Sequence, residues 1–145
     1  MRQYSLTPQE EKNYCVPSCL QAILRNYNIE ETQREIFQQL TPTEKGVLIS
    51  DDKFKNLLSI FEFNYDFFLY NQTPFNEPDF LLNKNSDKDI LIGINEHCYL
   101  LVLFQDPKLH VIDPKDAIIK EDELPNILNK MRKTKSGGFG LISKF

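Results

Sequence analysis

No stretch of the chain approaches the roughly 18 apolar residues that a bilayer-spanning helix needs, and the opening Met1-Arg2-Gln3-Tyr4-Ser5 lacks the apolar run of a secretory signal. A cytoplasmic location is expected. Basic charge is in short supply, with 17 Lys and Arg against 21 Asp and Glu for a formal charge of −4, and this points away from nucleic acid and anionic membranes as partners. Cysteine is limited to three residues, an odd number that argues against a disulfide framework and for reduced thiols. The phosphate-cradling pattern G-x-x-x-x-G-K-[ST] is missing. Tryptophan is absent as well, which excludes no chemistry.

What is present reads as a globular α+β protein. With 145 residues, 41% apolar and 26% charged, the chain suits one domain spanning 1–145, long enough to bury roughly two thirds of the surface its unfolded form exposes. Val16, Cys19, Leu20, Ile23, Leu24 and Tyr27 recur at helical spacing over about 15–27, with Pro17 in the first turn, where a missing N–H leaves no hydrogen bond unmade. A second helical pattern runs from Ile29 to Leu40, and a third follows Val47-Leu48-Ile49, capped by Ser50 or Asp51 and buried through Phe54, Leu57, Leu58 and Phe61. The period then changes. Strands are predicted around 65–69, 89–94, 97–104 and 109–112, the last two joined as a hairpin by Gln105-Asp106-Pro107-Lys108. A short helix is predicted at 77–83, a late helix through Leu124, Ile127, Leu128 and Met131, and a final strand at 139–143. Helices first and an antiparallel sheet second make an α+β plan.

Cys15 stands at the head of the first helix, where unpaired N–H groups and the positive end of the helix dipole favour thiolate over thiol. A reactive thiol needs a base, a group that orients the base, and donors for a developing oxyanion. His97 opens one strand of the hairpin and Asp113 closes the other, within about two positions of facing each other, so Asp113 can hold His97 in one tautomer and leave its other nitrogen for Cys15. Gln9, six residues before Cys15, can offer its side-chain N–H groups beside the Cys15 backbone N–H. Together these residues describe an acyl-transfer site.

The order Gln9, Cys15 at a helix start, His97 and, sixteen residues on, Asp113-Pro114 resembles the papain-like cysteine peptidase superfamily. Within it, the pattern is most similar to the bacteriocin-processing, double-glycine leader peptidases and their free-standing relatives. The resemblance implies an N-terminal helical half packed on a C-terminal antiparallel sheet, and hydrolysis of a peptide or protein substrate after small residues. It also implies Cys15 as nucleophile, His97 as base, Asp113 as orienting carboxylate and Gln9 as oxyanion donor, with no cofactor. That branch usually has an acidic residue before its cysteine and a glycine after it; this chain has Tyr14 and Val16-Pro17. Its members are commonly fused to an exporter, so an export role here would need a separate partner.

Other readings attach to the same residues. An acyltransferase or a protein deamidase would use the same acyl-enzyme chemistry, and a catalytically dead module would keep the cleft for binding peptides. Cys19, inside the first helix's apolar stripe, and Cys98, pointing away from His97 on its strand, are expected in the core. The same alternation argues against a zinc site made of Cys15, Cys19, His97 and Cys98. Gly137-Gly138 looks like a cleavage sequence, but cutting there would remove a strand the sheet needs, and a glycine pair before a strand is explained as a turn.

Overall fold

Six strands of the computed structural model, which describes residues 2–40, 46–72 and 82–145, form one antiparallel sheet whose parity sorts its side chains into two cores. In chain order the elements are α1 (Cys15–Arg25), α2 (Gln33–Gln38), α3 (Asp52–Ile60), β1 (Phe63–Leu69), β2 (Asp89–Ile94), β3 (His97–Gln105), β4 (Lys108–Asp113), β5 (Ile118–Glu123), α4 (Leu124–Thr134) and β6 (Gly138–Lys144). The strands lie in the order β1-β6-β2-β3-β4-β5. Leu91, Cys98, Leu100 and Ile142 face the helices α1 to α3, whereas Ile90, Ile92, Val111, Phe139 and Leu141 face α4.

Helix α1 is central to the first core. Cys19, Leu20, Ile23 and Leu24 are fully buried, and burying each large aliphatic side chain contributes roughly 1.5–3 kcal/mol. Helix α3 begins where its cap predicts, with Asp51 Oδ1 accepting from the Lys53 N–H at 2.9 Å. The second helical pattern is shorter than its apolar spacing suggests. Asn28 takes φ 60°, and the Thr32 hydroxyl caps α2 by accepting from the Glu35 N–H at 3.0 Å, so residues 29–32 stay out of the helix. Most of the helix expected at 77–83 lies outside the described residues.

Strand β5 is absent from the sequence reading. Its Ile-Ile-Lys-Glu-Asp-Glu run is exposed at almost every position, so no alternation marks it, and its pairing with β4 along the sheet edge makes it a strand. Strand β6 lies between β1 and β2, so Gly138, its first residue, is in the sheet's interior, and Gly137 immediately precedes it. Gly137 has φ +100°, and a Cβ there would stand 2.4 Å from the Gly93 carbonyl oxygen. Only glycine fits.

Candidate active site

Cys15 is the first residue of α1, and its side chain is directed between that helix and the start of β3. The residue is 5% exposed. Burial pushes the thiol up to about 12, the Cys98 thiol adds to this, and the backbone N–H groups of Cys98, Val16 and Cys15 oppose it only in part. Burial thus opposes the thiolate that the helix start favours. A nearby base that can take the proton would offset that burial.

His97 is the first residue of β3, at the end of the sheet. Cys98, its neighbour, points into the helix-side core, yet the Cys98 N–H faces the Cys15 sulfur, and Cys15 and His97 line one cavity of about 440 Å³. Leu100 pairs with Ile112, which puts Asp113 opposite Tyr99, two residues from His97 on the same face. The contact expected from the hairpin is made: His97 Nε2 lies 2.7 Å from Asp113 Oδ1. With Nε2–H donating to the carboxylate, Nδ1 is the nitrogen left to accept a proton. The Tyr99 ring stands edge-on to the imidazole, centroids 4.7 Å apart, and fixes its plane.

Asp113 is buried, which alone would raise its pKa, but Lys120 Nζ at 2.7 Å, His97, and the Lys115 N–H at 3.0 Å outweigh burial and hold the carboxyl at about 2. Its folded value lies below the ordinary one near 3.9. The stabilisation is thus present above about pH 4 and is lost as pH falls through about 2.

Gln9 occupies a different place from the one its spacing suggests. Its Nε2 donates to the backbone carbonyls of Lys12 at 2.8 Å and Glu11 at 3.1 Å, and it does not line the cavity. Among the described residues, none partners the buried Gln9 Oε1 atom. Its backbone N–H donates to the Pro114 carbonyl at 2.7 Å, so the lead-in is moored to the end of β4 beside Asp113. Ser18 Oγ and Gln33 Nε2 both donate to the Thr7 carbonyl, which fixes the same segment to α1 and α2.

One wall of the cavity is the 46–50 stretch. The Tyr65 hydroxyl donates to the Ile49 carbonyl at 2.7 Å and holds that wall in place. Gly46, Gly93, Gly137 and Gly138 also line the cavity, and Glu96 and Lys135 bring charge to the lining. Tyr99 and Lys120 were not singled out from sequence. Tyr99 follows His97 at strand spacing, a usable signal, whereas Lys120 sits on a strand with no periodicity to reveal it. Among the described residues, no group of three or more His, Cys, Asp and Glu is arranged to hold a metal ion.

No family model and no curated protein sequence matches the chain. Solved structures do. The peptidase domain of Streptococcus ComA, a bifunctional ABC transporter involved in a quorum-sensing pathway, superposes with a TM-score of 0.73 at 15% identity, over 99% of this chain and 100% of that one. A double-glycine motif protease from an AMS/PCAT transporter, solved in complex with its leader peptide, superposes with a TM-score of 0.68 at 15% identity, over 96% of this chain and 89% of that one. The order of helices, the antiparallel sheet and the whole-length superposition agree: the chain has the papain-like α+β fold of double-glycine peptidase domains.

Proposed function

We propose that the chain is a cysteine peptidase in which Cys15, His97 and Asp113 form the catalytic triad. The observation that carries this reading is the 2.7 Å His97–Asp113 contact beside a cavity lined by both His97 and Cys15, the first residue of a helix. His97 Nδ1 takes the thiol proton as sulfur bonds to the scissile carbonyl carbon, and the carbonyl oxygen becomes an oxyanion beside the Cys15 N–H. The C–N bond then breaks, with the amine leaving on the proton returned from Nδ1. Water, deprotonated by the same nitrogen, releases the acid and restores the thiol. Asp113 holds the Nε2–H tautomer throughout.

Small residues before the scissile bond, such as a Gly-Gly pair, suit a cavity whose lining includes four glycines, Gly46, Gly93, Gly137 and Gly138. The double-glycine protease with this fold supports the same substrate class. Among the described residues no helix is long and apolar enough to cross a membrane. Mass spectrometry of Gly-Gly peptides incubated with the protein and a free amine tests the reaction: hydrolysis after glycine supports a peptidase, amide exchange an acyltransferase, and a 1 Da gain at glutamine a deamidase.

Gln9 joins the oxyanion site by exchanging one of its two loop carbonyls for the substrate oxygen. Gln9→Ala is then expected to lower kcat by about 10²–10³ with little change in KM. A loss below about tenfold would leave Gln9 as a strut for the 9–14 loop. The burial of Cys15 and its raised thiol favour one other reading, a peptide-binding module with the same cleft; the absence of any Cys15-dependent product would support it.

A further inference from the structure

We propose that Lys120, on the edge strand β5, is a positioning residue that acts through Asp113 to set how tightly His97 holds its proton. The inference rests on the triad reading and deepens it.

The two oxygens of Asp113 are divided between partners. Oδ1 faces His97 Nε2 at 2.7 Å and accepts from the Lys115 N–H at 3.0 Å, while Oδ2 faces Lys120 Nζ at 2.7 Å. The fold builds this arrangement deliberately from register. Asp113 pairs with Ile118, so Lys120, two residues on, lies on the same face and reaches diagonally back to the carboxylate. The turn between β4 and β5 sets that register: the Ala117 N–H donates to the Asp113 carbonyl at 2.8 Å, and Ala117 takes φ 61°. Asp116 Oδ2 holds Lys120 from the other side at 3.2 Å.

Two consequences follow for the imidazole. Lys120 pins the carboxylate plane, so Oδ1 stays aimed at Nε2. It also offsets much of the negative charge that His97 would otherwise meet, which weakens the ring's hold on a proton and keeps Nδ1 available as a base. Among the described residues, the other charged or titratable groups that share the cavity lining or touch the ring are Cys15 on α1, Tyr99 on β3, Glu96 in the turn before β3 and Lys135 after α4. Lys120 is the charged group whose Nζ bonds Asp113 Oδ2 directly.

The test follows the ring itself. In the full chain carrying His110→Asn, His97 is the single histidine, and its C2–H proton resonance can be tracked against pH. Lys120→Met is expected to move the midpoint of that titration upward by roughly half a unit to one unit. Lys120→Arg, which keeps the charge, should stay within about 0.2 unit of the parent. Lys120→Gln serves as a second neutral variant should methionine disturb folding. A midpoint in the neutral variants that is unchanged or lower overturns the proposal. Turnover is not required, so failure of the peptidase reading would appear as Cys15-independent or absent hydrolysis while this titration still decides the role of Lys120.

Discussion

Cys15→Ala is expected to abolish peptide hydrolysis, by at least about 10⁵-fold in kcat, with the fold retained. The magnitude follows from covalent chemistry: without the sulfur no acyl-enzyme forms, and only binding and oxyanion contacts remain to accelerate attack by water. The cost in stability is small by comparison. Cys15 is buried among Val16, Cys98 and their neighbours, and exchanging one sulfur for hydrogen in that setting removes about 1 kcal/mol of packing. Steady-state rates with a cleaved peptide, read beside a thermal melt, separate the two effects. Retained hydrolysis in Cys15→Ala would remove the mechanism.

Asp113→Asn is expected to lower kcat by about 10³–10⁴ while changing KM little. The carboxylate accepts from His97 Nε2 at 2.7 Å and thereby keeps the proton off Nδ1. An asparagine presents either its oxygen or its N–H2 to that nitrogen. Lys120 Nζ at 2.7 Å and the Lys115 N–H at 3.0 Å both require an acceptor, so the amide cannot satisfy all three partners at once, and part of the population holds the imidazole in the wrong tautomer. Since Asp113 is held at about 2, the parent carboxylate stays ionised across the working range, and lowering pH from 7 to 5 should not reproduce the variant's defect through that group. Parallel kcat profiles for parent and variant over that range check this.

The sequence exposes the site most clearly where strand parity does the work. His97 and Asp113 meet because β3 and β4 form a tight hairpin and the spacing puts both on one face, which needs only alternation and a turn to infer. The burial of Cys98 opposite His97 follows from the same rule. Helix α1 and the cap of α3 are legible for local reasons: apolar spacing in one, Asp51 in the other. The protonation state of Cys15 is not legible in this way. A helix start supplies N–H groups, but how far the sulfur is withdrawn from water depends on β3, more than 80 residues away. Lys120 escapes notice because β5 is held by pairing to β4 and not by burial, so its side chains carry no pattern. The spacing of Gln9 places it in the lead-in before α1, while the carbonyls of Glu11 and Lys12 determine where its amide points.

Mapping which cysteine reacts with iodoacetamide near pH 6.5 tests most directly whether Cys15 is a nucleophile served by His97. Cys15, Cys19 and Cys98 are all buried free thiols, so burial alone would make them equally slow. Expected is rapid single labelling at Cys15, lost in His97→Ala, with Cys19 and Cys98 unmodified until the chain unfolds. Uniformly slow labelling of the three thiols, or fast labelling of Cys15 that His97→Ala leaves unchanged, would contradict it.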